Sequence, residues 1–427
     1  MNDYDMEKMG SVLIDNGHLP GTDVEDADIV VVNTCCIREK AEQKFYSLMG
    51  RLQRVRKKKG LILGVTGCIA EQEKENIFER LPFIDFSLGP SNIHKIAEAV
   101  ENATGNTRTS AFGDNGLSLS LMIRPHNTRK GIKGYITIMK GCNNFCSYCV
   151  VPYVRGREKS RESEDVLAEV REMAELGITD VTLLGQNVNS YNNGSSDLSF
   201  PGLLKKIDRI PGISRLRFVT SHPKDISREL IECFGSLKTL CESIHLPFQS
   251  GSDRILASMN RGYTTSEYLQ KVEALKKQCS GIAITADCIV GFPGEEENDF
   301  DATMELMETV GFDGIFSFIY SPRKFTAAAT LPGRVPSDVA RARLSRFQER
   351  QRELTLESNR RMEGKRVEVL VEGQSKNSPD ELSGRTRTGK IVNFKGDRGM
   401  VYKLVEVDII KGYANSLRGE LSKAPGR

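Results

Sequence analysis

Cys142, Cys146 and Cys149 stand four and then three residues apart in the stretch 141–152, GCNNFCSYCVVP. A chain with ten cysteines in 427 residues seldom spaces three so closely by accident, so the stretch reads as a ligand loop. Structural zinc normally closes its shell with four ligands. Three thiolates on a cubane [4Fe–4S] cluster leave one iron open to a substrate. Spacing alone leaves three readings standing: an iron–sulfur loop, a zinc loop completed by a distant His or Cys, and buried structural cysteines.

A chain of this length supports roughly two to four domains, each able to bury a core. Its formal charge is only +3. The charge is unevenly spread: residues 341–427 hold 20 Lys and Arg against 12 Asp and Glu, a net +8, which leaves −5 for the rest. A basic C-terminal end on a near-neutral body suits a polyanion docked at one end, or simply a solvated basic helix and tail. The basic run from Arg51 to Lys59 reads first as the solvated end of a helix, with contact to an RNA backbone as the alternative. No apolar run approaches the roughly 18 residues a membrane span needs. The polar start MNDYDMEKMG reads as neither a signal nor a transit peptide. Scattered cysteines in a long chain fit a reducing cytoplasm and metal binding better than a disulfide framework.

Along the first hundred residues, helical and strand patterns alternate. Apolar runs at 29–32 and 61–65 each end at a cysteine, Cys35 (with Cys36 after it) and Cys68. Helix, strand, helix, strand predicts a parallel α/β unit, whose ligands collect at the carboxyl ends of the strands. Residues 102–130 are rich in Asn, Thr, Gly and Ser and read as a linker. Six strand patterns then follow, at 135–139, 181–184, 216–219, 244–248, 282–290 and 315–320, with helical patterns between them. Six predict a partial, open (β/α)6 barrel, and its loops after the strands form the active face. The three cysteines follow the first of these strands. A long charged helix over 341–361 leads to residues 365–423, which read as a small antiparallel, OB-like β-barrel. There Lys365, Arg366, Arg385, Arg387, Lys390, Lys395, Arg398 and Arg418, with Phe394 and Tyr402 as stacking faces, suit RNA. A generic β-domain packed on the barrel is the plainer alternative.

A strand running into C-x3-C-x-aromatic-C at the head of such an array resembles the radical S-adenosylmethionine (SAM) enzymes. Longer ordered stretches narrow the resemblance: NTCCIREKAEQK, GVTGCIAEQ, GCNNFCSYCVVPYVRGRE, TLLGQNVNSY, TSHP, HLPFQSGSDR, IVGFPGE, LSGRT and NSLRGE. Across nearly the whole chain these are similar to the methylthiotransferases, closest to the tRNA 2-methylthio-N6-isopentenyladenosine synthases. The resemblance implies an N-terminal methylthiotransferase domain (1–101), a linker (102–130), a radical-SAM core (131–361) and a TRAM RNA-binding domain (362–424). It implies that Cys142, Cys146 and Cys149 hold a [4Fe–4S] cluster whose fourth iron takes SAM. Tyr148, Gly185, Gln186 and Asn187 match the SAM-contacting positions. A 5′-deoxyadenosyl radical would take hydrogen from C2 of isopentenyladenosine at tRNA position 37. A second [4Fe–4S] cluster would supply the sulfur, and no catalytic side chain is implied beyond the clusters. The implied partners are tRNA and an electron donor such as flavodoxin or ferredoxin, for a cytoplasmic monomer without a membrane role. Relatives acting on threonylcarbamoyl-adenosine or on a ribosomal-protein aspartate are the alternative, and a non-catalytic zinc RNA-binding protein is the alternative of another class.

Two departures stand out. The family's second cluster uses three cysteines, and Cys35 and Cys68 match two. The first belongs to a G-C-Q-M-N strand end that would fall two residues before Met1. The missing first strand and third ligand are therefore expected upstream, with a shortened, partly inactive chain or ligation by Cys36 as the alternatives. Relatives also tend to carry Arg-Pro-Gly-Thr where this chain has Pro322-Arg323-Lys324-Phe325-Thr326.

Overall fold

The computed structural model describes residues 1–35, 39–113, 131–376 and 378–422. At the N-terminus, β1 (Ile29–Thr34), β2 (Ile62–Gly67), β3 (Phe86–Leu88) and β4 (Thr109–Ala111) form a parallel sheet in that order. Helix Glu39–Lys59 and helix Ile96–Thr104 connect them. The β-branched run Ile29-Val30-Val31-Val32 favours strand. Apolar Phe45, Met49 and Leu52, one helical turn apart, give the first helix its buried stripe against Leu63 and Val65. The expected linker 102–130 starts too early: its first residues complete the helix ending at Thr104, and β4 joins the sheet. The remainder of the linker, 114–130, lies outside the described residues.

The six expected barrel strands are present: β5 (Lys133–Thr137), β8 (Asp180–Leu184), β9 (Arg215–Phe218), β10 (Ser243–His245), β11 (Ala283–Val290) and β12 (Gly314–Ile319). All pair in parallel and in chain order, and a single bridge, Leu216 to Leu240, links β9 to the segment entering β10. Nothing pairs β12 back to β5 among the described residues, so the barrel is open on one side. Its main core lies between strands and outer helices, with Ile136, Val181, Leu183, Leu216, Ile244, Ile284 and Ala286 all buried. A two-residue ribbon, β6 (Met139–Lys140) against β7 (Lys159–Ser160), closes the neck of the cysteine loop.

Helix Ser337–Arg360 runs to the C-terminal barrel, where β13 (Arg366–Gln374), β14 (Glu381–Thr386), β15 (Ile391–Lys395), β17 (Leu417–Leu421) and β16 (Leu404–Gly412) close in that order. Every pairing is antiparallel except β15 with β17, which is parallel. This small barrel docks on the upstream ends of the large barrel's strands. Arg215, fully buried, donates to the Arg385 carbonyl at 2.8 Å and to Glu368 at 2.8 Å. Arg387 grips Glu242 and the Leu240 carbonyl, and Lys390 pairs with Asp313 at 2.7 Å. These contacts revise the expected RNA face. Arg366, Arg385, Arg387, Lys390 and Arg418 are all engaged in ion pairs. Phe394 is fully buried in the small barrel's core and offers no stacking face. Lys365, Lys395, Arg398 and Tyr402 remain exposed.

Candidate functional site

β5 delivers the cysteine loop to the downstream face of the barrel. Gly141, at φ 76°, starts the turn, and a Cβ there would strike the Arg157 carbonyl. Its amide donates to Gln186 Oε1, so the residue after Gly185 anchors the loop. The Cys149 amide donates to the Cys146 carbonyl at 2.9 Å. The Ser147 amide reaches the Met259 carbonyl at 2.9 Å, tying the loop to the far side of the barrel. Burial, with the neighbouring Cys146 thiol next, pushes Cys149 up to about 12; burial also pushes Cys142 up to about 11. On this loop Cys142 and Cys149 are half-buried and Cys146 is buried. Among the described residues no three His, Cys, Asp or Glu side chains converge tightly enough to hold a single metal ion.

Arg261 is the most informative neighbour. It is 4% exposed, and it donates to Cys146 Sγ at 3.3 Å, Tyr148 Oη at 3.3 Å, Tyr263 Oη at 3.1 Å and the Pro247 carbonyl at 2.8 Å. None of these partners is a carboxylate. A buried guanidinium among neutral groups is costly unless an anion joins it. Deprotonated cysteines on a cluster supply that anion, so the donor set fits an iron–sulfur group. His222 Nε2 lies 3.9 Å from the same sulfur, and burial, with Arg261 next, holds it far below its ordinary range and therefore neutral.

The four residues expected against SAM are placed as follows. Tyr148 packs on Ile255, Met259, Phe292 and Ala328 with its hydroxyl on Arg261. Gly185 has no room for a side chain, since a Cβ would lie 2.6 Å from Met139 Cγ. Gln186 holds Gly141. Asn187 is 1% exposed; its Nδ2 donates to Asp225 at 2.7 Å while its Oδ1 has no partner. Thr137 Oγ1, Asn189 Oδ1, Ser221 Oγ and Gln249 Oε1 are likewise buried without partners. Thr137 ends β5, and Asn189, Ser221 and Gln249 follow β8, β9 and β10 on the downstream side, where a bound polar ligand would satisfy such atoms.

The second pair of cysteines lies at neighbouring strand ends. Thr34 pairs with Gly67, so Cys35 and Cys68 each follow one partner of that couple. Gly67 takes φ 94°, and a Cβ there would collide with Asn33 and the Thr34 carbonyl. Cys68 opens helix Cys68–Glu73, and Thr34 Oγ1 accepts from the Ile69 amide at 3.1 Å. Arg155, six residues beyond Cys149, hydrogen-bonds the Cys68 thiol and reaches Asp5 at 3.4 Å. Cys36, the alternative third ligand, lies outside the described residues. The structure thus joins the two cysteine sites through Arg155 and assigns Arg261 to the first. Sequence reading missed both arginines. The signal available was their position inside the recognised stretch VVPYVRGRE and the segment MNRGY.

Three family models match: "Radical SAM superfamily" over residues 136–307, "Uncharacterized protein family UPF0004" over 1–89 and "TRAM domain" over 360–422. The tRNA-2-methylthio-N(6)-dimethylallyladenosine synthase of Syntrophus aciditrophicus is 48% identical over 99% of this chain and 92% of its own. That of Geobacter sulfurreducens is 49% identical, over 99% and 95%. Among solved structures, the radical S-adenosylmethionine methyltransferase TsrM of Kitasatospora setae matches with a TM-score of 0.58 at 13% identity, over 76% of this chain and 74% of that one. The cobalamin-dependent S-adenosylmethionine radical enzyme OxsB matches at 0.53 and 12%, over 82% and 54%. These two share the fold. The full-length likeness to the synthases decides the family: the chain belongs to the tRNA-2-methylthio-N(6)-dimethylallyladenosine synthases of the radical SAM superfamily.

Proposed function

We propose that this chain is a radical-SAM tRNA methylthiotransferase that converts N6-isopentenyladenosine beside the anticodon, at position 37, to its 2-methylthio derivative. The carrying observation is the full-length likeness to synthases of that name, at 48–49% identity. Cys142, Cys146 and Cys149 would hold one [4Fe–4S] cluster, and Cys35 and Cys68 two corners of a second. When bound, such a cluster with SAM supplies one-electron chemistry able to remove the unactivated C2 hydrogen of adenine.

The chain's own residues supply charge, position and dryness. Arg261 places a permanent cation beside the Cys146 sulfur, inside the protein where its field is least screened. Gln186 and Ser147 fix the two sides of the cysteine loop. Asn187, steered by Asp225, leaves its carbonyl oxygen free for an ammonium or hydroxyl donor. Gly185 lets backbone approach where a side chain would block. Tyr148 closes one side with an aromatic wall. The domains proposed are 1–113 for sulfur donation, 131–361 for radical generation and 362–422 for RNA. A flavodoxin or ferredoxin supplies electrons, and the enzyme works as a cytoplasmic monomer. Among the described residues no helix is long and apolar enough to cross a membrane.

Nucleoside mass spectrometry of tRNA from a deletion strain tests this. Isopentenyladenosine should accumulate without its methylthio form, and the chain on a plasmid should restore it. An unchanged nucleoside profile refutes the reading. Anaerobic reconstitution should give a brown iron protein; a colourless one with stoichiometric zinc points to the zinc class instead.

A further inference from the structure

Three aromatic rings stand in solvent on the active face beside the cysteine loop. Phe145 lies between Cys142 and Cys146 and is 37% exposed, Tyr153 is 48% exposed and Phe325 is 60% exposed. They form a chain: Phe145 meets Tyr153 edge-on with centroids 6.2 Å apart, and Tyr153 meets Phe325 at 6.3 Å, tilted 34°. Contiguous exposed aromatic side chains of this kind mark an interaction site more often than scattered single ones do.

The backbone is forced to present two of them. Phe145 takes φ 46° and Phe325 φ 71°. A bulky residue in the left-handed region is strained, and strain of this kind persists only where surroundings impose it. They do so here. Asn260 Nδ2 donates to the Phe145 carbonyl at 3.0 Å. On the other side, Arg323 pairs with Glu42 at 3.5 Å and Lys324 with the buried Glu73 at 2.8 Å. Thr326 Oγ1 donates back to the Arg323 carbonyl at 2.8 Å. The N-terminal domain therefore clamps the two cations of Pro322-Arg323-Lys324-Phe325-Thr326 and leaves Phe325 projecting.

The charge around the patch selects the occupant. An acidic protein partner needs several free cations, yet Arg323 and Lys324 are already paired. Exposed Arg157, over the Phe145 ring at 5.5 Å, enters no ion pair among the described residues. Exposed aromatic faces with one adjacent guanidinium suit unpaired nucleobases, which every ring accepts through its π-face. We propose that Phe145, Tyr153 and Phe325 form a stacking platform for a single-stranded nucleobase flanking the target adenosine. This rests on the tRNA reading above and deepens it.

The test uses the full chain loaded with iron and sulfide. Its probe is an anticodon stem-loop RNA carrying isopentenyladenosine, with 2-aminopurine on one side of it or on the other. Wild type should bind and quench one of the two RNAs. Phe325→Ala should weaken binding about tenfold, the effect of one lost base stack, and abolish the quench. Phe325→Trp should retain both. Phe325→Ala binding within about twofold of wild type, quench intact, overturns the platform while the tRNA reading stands. Unchanged RNA binding with slower reduction by flavodoxin overturns it in favour of a protein-docking face. Failure of wild type to bind either RNA overturns the tRNA reading and the platform together.

Discussion

Removing the Arg261 charge should lower the midpoint potential of the cluster proposed to sit on Cys142, Cys146 and Cys149. Arg261→Met keeps much of the apolar stem and deletes a cation 3.3 Å from the Cys146 sulfur. Were a cluster held on these thiolates, a charge about 6 Å from its centre would be worth about 3 kcal/mol at an effective dielectric near 20. At about 59 mV per tenfold step of a one-electron couple, that is a fall of about 120 mV. The sign follows because reduction adds an electron, and the lost cation had stabilised it. Arg261→Lys should shift the potential far less, since it keeps the charge while losing the fork that reaches Tyr148, Tyr263 and Pro247 together. The assay is a redox titration followed by electron paramagnetic resonance. Cys35→Ala and Cys68→Ala are included so that only the first site can load. A positive shift, or a negative one under about 30 mV, would refute the claim that Arg261 balances cluster charge.

Other perturbations test the frame around the site. Gly67→Ala should destabilise the N-terminal domain by about 2 kcal/mol or more, read as a lower thermal midpoint, because φ 94° and the clash with Thr34 leave no room for a methyl group; an unchanged midpoint would show that the strand end relaxes freely. Burial holds the Lys8 amine down at about 7, and its Nζ has no hydrogen-bond partner. Between pH 7 and the ordinary lysine range the unfolded chain binds a proton the folded one lacks, so stability should rise with pH there, by at most about 1.4 kcal/mol per pH unit. Denaturation midpoints of Lys8→Met across that window should lose this slope; an identical slope in both proteins counts against a neutral buried amine. Arg387→Ala removes the grip on Glu242 and the Leu240 carbonyl, so limited proteolysis should cut near residues 361–365 faster than in wild type, and equal rates would mean the small barrel is held elsewhere.

The repeated β/α order and the three-cysteine loop were legible in the sequence because each rests on local pattern. Val181–Leu184-type runs form strands wherever they pair, and the cysteine spacing is covalent. Phe86–Leu88 and Thr109–Ala111 were not legible. Three residues carry no usable period, and Thr-Ser-Ala is polar; these strands exist because an adjacent strand offers hydrogen bonds. Phe394 was misread for a related reason: in a small barrel alternate residues point inward, and the turn geometry that sets the register is not local to Phe394. The basic C-terminal residues were misjudged because charge counts ignore partners. Five of the eight named have carboxylates beside them, two of these in the large barrel.

The two arginines at the cysteine sites show why the site needed three dimensions. Each comes from the barrel, and each meets a sulfur. Arg261 approaches Cys146 from across the barrel mouth. Arg155 leaves the cysteine loop itself and meets Cys68 and Asp5 of the other domain. The same interface holds Tyr4, whose hydroxyl donates to Glu169 at 2.8 Å, and the buried Arg161–Glu169 pair at 2.6 Å. Breaking a buried pair of that kind costs several kcal/mol, because one charge is left alone. Undocking the N-terminal domain would uncover that pair and withdraw Arg155 from Cys68 in the same movement. The second cysteine site is therefore complete in charge only when the domains are docked, and docking brings it to the loop that holds the first.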